Sequence, residues 1–274
     1  DYAGALNTYN RALELDPDNP VVHQRLGYVY TQSGKLDEAK HHYKQAIERE
    51  ENFAPALAGR GFVYRRLGEQ AEKRMDNRNL ADDERTQAML ERKRLLNQAE
   101  QMLIRALKLS PRLVDEDGES WWGVLGGCYK SREQIDDAID AYNEATRVTP
   151  QSSYGLVNLA LLYMKQNRRD EMLDAYEKVE KIARQEATSE QGNFWGYADL
   201  ITSSLAIGKH EQALEALPIA ISIAPVESPY MLEGLTDTLR DLVKVLEDEK
   251  VIHIQTAIRM LEEEMRRRTE SAAD

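Results

Sequence analysis

The stretch PVVHQRLGYVYTQSGKLDEAKHHYKQAIEREE, residues 20–51, decides the fold of this chain. Its apolar residues return every three or four positions, which is the spacing of an amphipathic helix. Gly34 interrupts the pattern near its middle, because glycine readily takes the left-handed conformation that ends a helix. The stretch therefore predicts two short helices joined by a turn. The predicted core positions are Val22, Leu26, Val29, Tyr30, Ala39, Tyr43, Ala46 and Ile47.

One landmark of this stretch, the alanine four residues before Tyr43, recurs along the chain. The corresponding positions are Ala5, Ala39, Ala99, Ala138, Met172, which replaces the alanine, and Ala213. Successive intervals are 34, 60, 39, 34 and 41 residues. Two intervals share a period of 34, and the other three equal that period plus an insertion. A fixed period of this size indicates a repeat architecture in which each unit packs on its neighbours.

These landmarks, Leu26-Gly27, Tyr30, Gly34 and Ala39, resemble those of a tetratricopeptide repeat, and the resemblance covers roughly residues 1–227. It implies an all-α fold, a right-handed superhelical solenoid of antiparallel helix pairs. The expected divisions are the second helix of a truncated repeat at 1–19, repeats at 20–53, 54–113, 119–152, 153–186 and 194–227, C-terminal capping helices at 228–268, and a tail at 269–274. Since the first helix of the opening repeat is missing, we expect further repeats upstream.

Glycine inside the predicted first helices is informative, because it costs about 1 kcal/mol relative to alanine in a helix. Its return at Gly27, Gly61 and Gly126 indicates that two helices approach too closely there for a side chain. Large side chains are expected to fill the space opposite these glycines. The candidates are Tyr30, Tyr64, Tyr129 and Tyr163.

The second repeat carries a charged insertion at about 69–98. We expect the preceding helix to continue past Gly68 and a second helix to run from about 80 to 109, which together form a projecting antiparallel hairpin. Its seam is predicted to contain Met89, Leu96 and Leu103. The insertion is either a tolerated extension of the helices or a contact for a partner or a second copy of the chain.

Beyond residue 229 the repeat landmarks stop, and two amphipathic helices are predicted. In the second of them, Val251, Ile254 and Ile258 follow a spacing of three and four residues. Such spacing suits either a coiled-coil seam, which could mediate oligomerisation, or a cap on the open end of the array.

The composition of the chain argues against nucleic-acid binding, membrane insertion and internal disulfides. A net charge of −12 opposes binding to a phosphate backbone, so nucleic acid is not an expected partner. The longest apolar run, residues 156–164, is shorter than the roughly 20 residues that a membrane helix needs, so no membrane insertion is expected. A single cysteine, Cys128, leaves no internal disulfide, and a reducing, cytoplasmic location is the default expectation.

No catalytic or cofactor-binding motif occurs in the sequence, so we expect no enzyme activity, no cofactor and no metal site. His41 and His42 are adjacent, and on a helix their side chains point about 100 degrees apart, which does not converge on one ion. Cys128 lies on a predicted packing helix and is expected to be a buried, inert thiol.

The predicted first helices show a charge asymmetry. Residues 20–33, 54–67, 120–131 and 154–166 contain no Asp or Glu, but they do contain Arg and Lys. The resemblance implies that first helices line a concave groove, which should therefore be basic with a largely apolar floor. The predicted groove residues are Arg25, Tyr28, Phe62, Arg65, Arg66, Lys130, Asn158, Leu161, Lys165 and Trp195. Alternatively, the cations only cap helix ends, where positive charge is favoured.

A basic groove with an apolar floor suits a peptide or helix of a partner protein that carries acidic and apolar residues. The co-chaperone members of the resembled family grip a terminal carboxylate, but the corresponding places here hold Gln24, Tyr28 and Gly59, so no such clamp is expected. The leading interpretation is a protein-interaction scaffold. The alternative is a regulatory or sensor arm of a larger enzyme or signalling NTPase, whose groove binds its own chain.

Overall fold

A computed structural model describes residues 2–75, 77, 80–188, 194–226, 230–246 and 248–271. These residues form thirteen helices that divide into two compact units, Asp1–Thr149 and Pro150–Asp274. The fold class is all-α and of the helical-repeat type, as the sequence predicts. Residues 272–274 of the expected C-terminal tail lie outside the described residues.

The first unit begins with one helix and continues with three helix pairs. Its helices are α1 (Tyr2–Leu15), α2 (Pro20–Gln32), α3 (Leu36–Arg49), α4 (Ala54–Met75), α5 (Asp82–Leu109), α6 (Trp121–Ser131) and α7 (Ile135–Val148). Each of α2, α4 and α6 packs against the helix that follows it. We call α2, α4 and α6 the first helices of their pairs. Contacts between α2 and α4, and between α4 and α6, stack the pairs.

The second unit contains two pairs and two further helices. Its helices are α8 (Tyr154–Lys165), α9 (Arg169–Thr188), α10 (Phe194–Ile207), α11 (His210–Ile223), α12 (Tyr230–Val243) and α13 (Asp248–Ser271). Here α8 and α10 are the first helices of their pairs. The helices α12 and α13 pack against each other and against α10, and α13 also contacts α11. They therefore lie against the last pair of this unit.

The turn inside most pairs has one repeated geometry. One residue takes a positive φ, and the backbone N–H that follows it donates to a carbonyl five residues earlier. The residues with positive φ are Gly34, Glu133, Asn167 and Gly208, with φ between 55° and 87°. The corresponding hydrogen bonds are Lys35 to Tyr30, Gln134 to Tyr129, Arg168 to Tyr163 and Lys209 to Ser204, at 2.8 to 3.0 Å. The turn is therefore kept even where glycine is replaced.

Side chains of the second helices, not tyrosines of the first, fill the space opposite the glycines, and opposite Gly61 this side chain is Leu103. A Cβ on Gly27 would lie 2.9 Å from the Tyr43 ring, and one on Gly126 would lie 3.0 Å from the Tyr142 ring. The expectation that Tyr30 and its counterparts occupy this space is wrong. The reason is that the glycine face of each first helix points at its own partner helix, which supplies Tyr43, Leu103 or Tyr142.

The predicted hairpin is formed by α4, which runs on past Gly68, and by α5. The buried side chains of α5 that pack in the core of the unit include Leu95, Leu96, Ala99 and Leu103. Met89 does not belong to this seam, because 54% of its surface is exposed, and Ala88 is buried instead. The buried stripe of α5 passes through Ala88, which lies seven residues before the buried Leu95 and therefore on the same face of the helix.

Candidate partner-binding face

The predicted groove residues lie on the first helices, and we refer to them as the first-helix face, taken separately in each unit. In the first unit this face comprises Arg25, Tyr28, Phe62, Arg65, Arg66 and Lys130. In the second unit it comprises Asn158, Leu161, Lys165 and Trp195.

In the first unit, the N-terminal half of α2 holds an acidic side chain from elsewhere in the chain. Arg25 Nη1 lies 2.8 Å from Glu116 Oε1, and the Gln24 side-chain amide donates to the same oxygen at 3.1 Å. Glu116 belongs to the connection between α5 and α6, about ninety residues further along the chain. The first-helix face is therefore less basic than the sequences of its helices predict. Those helices contain no acid near Arg25, but the connection between α5 and α6 places Glu116 against them.

The end of α4 combines aromatic and cationic side chains. The Arg66 guanidinium lies 5.8 Å from the centre of the Phe62 ring, and Phe62 packs edge-to-face on Trp121 of α6 at 6.4 Å. Arg65 and Arg66 both approach Glu69 one turn later, at 2.8 and 3.6 Å. Arg66 keeps 47% of its side chain exposed, whereas Arg65 keeps 19%. Arg66 is therefore the more accessible of these two cations for a partner.

The α6 helix contributes Lys130, whose ammonium nitrogen lies 6.0 Å above the Tyr142 ring. One turn earlier, Gly127 is covered by the Arg65 guanidinium, since a Cβ there would lie 3.0 Å from Arg65 Cζ. Gly59 of α4 is covered in the same way by Tyr43. These glycines are buried and do not form the expected apolar floor. The half-buried Tyr28 and Phe62 form it instead.

In the second unit, the four predicted residues differ in accessibility. Asn158 is buried, and its side-chain amide donates to the Tyr154 carbonyl of its own helix at 3.0 Å. Leu161 is half-buried against the core, while Lys165 is exposed at the end of α8. Trp195 at the start of α10 is 49% exposed and packs edge-to-face on Phe194. Lys165 and Trp195 are therefore the residues that a partner can reach here.

The described residues contain no group of three or more His, Cys, Asp and Glu side chains arranged to hold a metal ion. Cys128 is buried as predicted, its thiol donates to the Leu96 carbonyl at 3.5 Å, and burial raises its pKa to about 11. A thiol with that pKa stays protonated and unreactive at neutral pH. Among the helices described, none has the length and apolar character needed to cross a membrane.

Sequence reasoning missed two polar contacts of the first unit. One is the pair formed by His23 and His42, whose Nδ1 atoms are 3.1 Å apart, with burial lowering the pKa of His42 to about 4. The other is the contact of Glu116 with α2. Neither partner is close in sequence, so no local spacing signals them; only the unusual acidic run VDEDG at 114–118 marked the connection.

Stacked helix pairs, glycines packed under second-helix rings and a repeated left-handed turn together define a helical-repeat protein. Family models described as tetratricopeptide repeat match residues 1–60 and 129–187. Within these two segments the chain carries tetratricopeptide repeats. Proteins of this family generally mediate protein–protein interactions, and they are typically scaffolds without enzyme activity.

Curated relatives share this character at low identity. A TPR repeat-containing protein of Methanocaldococcus jannaschii is 26% identical over 188 residues, which is 66% of this chain and 28% of that protein. The Hsp70-Hsp90 organizing protein of Triticum aestivum is 24% identical over 259 residues, 89% of this chain and 42% of that protein. The chain thus spans well under half the length of these relatives.

Solved structures show the same fold. A chain of the APC/C hetero-tetramer Cut9-Hcn1 aligns with 95% of this chain and 46% of its own length, with a TM-score of 0.57 and 12% identity. A thermophilic TPR protein of Thermus thermophilus aligns with 69% of this chain and 84% of its own length, with a TM-score of 0.52 and 22% identity. At these identities the likeness concerns the fold alone.

Proposed function

We propose that this chain is a protein-interaction module whose first-helix face binds a peptide or helix of a partner that carries acidic and apolar residues. The observation that carries the proposal is the end of α4, where the half-exposed Arg66 stacks on Phe62 beside Trp121. This arrangement offers an apolar ring and a cation within one side-chain length. Arg guanidinium and aromatic side chains are the types that most often dominate the energy of protein interfaces.

Charge also supports an acidic ligand. Four predicted cations of the first unit, Arg25, Arg65, Arg66 and Lys130, lie in segments 20–33, 54–67 and 120–131, which contain no Asp or Glu. The protein as a whole carries −12. A local positive surface on an acidic protein steers an acidic ligand toward that surface and disfavours other orientations.

The second unit adds the exposed Trp195 and Lys165 on its own first helices. The exposed indole suits an apolar anchor of a partner and the exposed ammonium suits an acidic residue, which is the same chemistry as in the first unit. The hairpin stays a candidate for a further contact, because the adjacent Met89 and Leu90 are each more than half exposed.

Reversal of charge on the first-helix face tests the proposal. We expect the triple variant Arg66→Glu, Lys130→Glu, Lys165→Glu to lose the proteins that the wild type captures from a lysate of the source organism, measured by quantitative affinity pull-down. The matched control is Lys44→Glu, Lys108→Glu, Lys181→Glu, which makes the same change of charge at exposed positions of second helices. Equal capture by both variants would contradict the proposal, provided that circular dichroism finds both folded.

A further inference from the structure

The connection between α5 and α6 is a tight, preorganised turn. The Asp115 carboxylate accepts the backbone N–H groups of Asp117 and Glu119, at 3.0 and 2.8 Å, and Gly118 takes a φ of 84°. Val114 and Ser120 pair as an antiparallel bridge across the base of this turn. Because the backbone is held in this way, Glu116 projects from a fixed position.

The Glu116 carboxylate reaches the part of the first-helix face formed by α2. Its Oε1 atom accepts hydrogen bonds from Gln24 and Arg25, and only 23% of its side chain stays exposed. An amide and a guanidinium together provide donors that a carboxylate can accept.

We infer that Gln24 and Arg25 form a carboxylate-binding subsite, and that Glu116 fills it as an intrachain ligand which an acidic side chain of the partner displaces. The inference rests on the proposed function, because it assigns one subsite of the same face. It also explains why an acidic connection lies against a helix that carries no acid of its own. Glu116 would then reduce the affinity of the face for weak or non-specific acidic ligands.

The contact of Glu116 with Arg25 is weak enough for an acidic side chain of a partner to displace Glu116. Arg25 is 44% exposed, and exposed ion pairs contribute little to stability because water screens them. Converted to an equilibrium constant, a contact of this kind changes affinity by about two- to fivefold. A tighter contact would close the subsite permanently, and a weaker one would have no measurable effect on binding.

The test measures fluorescence polarisation of a labelled twelve-residue peptide in which Leu alternates with Glu, beside a control peptide in which Gln replaces Glu. We expect Glu116→Gln to bind the acidic peptide about two- to fivefold more tightly than the wild type does. Asp117→Asn removes the same charge from an exposed position of the same turn and should change the affinity less than twofold. Arg25→Gln should weaken binding, and Glu116→Gln should bring no gain in that background.

Three results would overturn the inference in distinguishable ways. If the wild type prefers the acidic peptide but Glu116→Gln and Asp117→Asn change its affinity equally, Glu116 is only a structural ion pair, and the proposed function stands. The same conclusion follows if Glu116→Gln retains its full gain in the Arg25→Gln background. If no variant prefers the acidic peptide to its Gln counterpart, the acidic ligand class of the proposed function fails, and the subsite fails with it.

Discussion

Replacing Asp199 by asparagine is expected to flatten the dependence of the unfolding free energy of the second unit on pH between about 4 and 7. Asp199 lies in α10, and its Oδ2 atom is 2.8 Å from the Ser153 hydroxyl oxygen. The same hydroxyl oxygen is 2.9 Å from Oε2 of Glu186 in α9. Burial, reinforced by the negative charge of Glu186 and only partly offset by the Ser153 hydrogen bond, raises the pKa of Asp199 to about 7.

The geometry explains why a proton is favoured here. Ser153 has one hydroxyl hydrogen, so it can donate to only one of the two carboxylates at a time. When Asp199 is protonated, its own O–H donates to Ser153, and Ser153 donates to Glu186, so each of these two contacts contains a hydrogen. When both carboxyl groups are ionised, one contact has no hydrogen and two negative charges lie close together.

The sign follows from linkage. Because the folded-state pKa of Asp199 is raised above its unfolded value, its contribution to stability is complete below about pH 4 and is lost as pH rises to about 7. A displacement of this size corresponds to about 4 kcal/mol for a fully desolvated group. Since Asp199 is only part-buried, water screens the charge, and we expect about 2 kcal/mol.

Urea denaturation of the wild type and of Asp199→Asn at several pH values measures this effect. The difference between the two proteins isolates Asp199, because other groups that titrate in this unit, such as Glu180 and His210, are common to both. Asp174→Asn, at an exposed position of α9, should keep the wild-type dependence on pH. A constant difference between wild type and Asp199→Asn from pH 4 to 8 would contradict the account.

Replacing Gly59 by alanine is expected to destabilise the first unit by roughly 1 to 2 kcal/mol. A Cβ at this position would lie 2.6 Å from the Tyr43 hydroxyl oxygen and closer still to its ring carbons. Tyr43 is 3% exposed and cannot move aside without disturbing the core. Overpacking of this kind costs about 1 to 3 kcal/mol, and the better helix propensity of alanine returns at most about 1 kcal/mol.

Two comparisons make the Gly59 prediction specific. Gly234→Ala lies inside α12, where no described residue outside the local helix backbone comes within 4 Å of the new Cβ, so it should stabilise the protein by about 0.5 to 1 kcal/mol. In a Tyr43→Leu background the contacting atoms at the end of the ring are absent, so Gly59→Ala should lose most of its cost. Chemical denaturation followed by circular dichroism measures all of these differences. An unchanged cost in the Tyr43→Leu background would show that the ring is not the cause.

The repeat landmarks were sufficient to predict the helices, because each landmark reflects a local need of the backbone, such as a residue that can end a helix. Gly34 and Gly208 take the left-handed conformation at which the turns reverse, and the hairpin follows from the charged insertion between two helical patterns. Gly27 and Gly126 each pack against a tyrosine, as predicted, but this tyrosine belongs to the second helix of the pair and not to the first. Tyr30 and Tyr43 both recur at the repeat spacing, so spacing alone cannot say which of them faces Gly27.

The chemistry of the first-helix face was less predictable than the fold. The repeat spacing predicts which helices carry Arg66, Lys130 and Lys165. It does not predict which acidic side chains lie near cations of this face. Glu116 reaches Arg25 from about ninety residues away, and Asp199 meets Glu186 and Ser153 from three different segments of the second unit. Such contacts depend on how the helices pack, and no local pattern in the sequence indicates them.

Site-specific photo-crosslinking tests most directly whether partners bind the first-helix face. A benzophenone side chain would be placed in turn at Arg66 and Lys165 on first helices, and at Lys44 and Lys181 on second helices, all exposed positions. The account predicts that the partners recovered by pull-down crosslink from positions 66 or 165 and not from 44 or 181. Efficient crosslinks from 44 or 181, with none from 66 or 165, would contradict it.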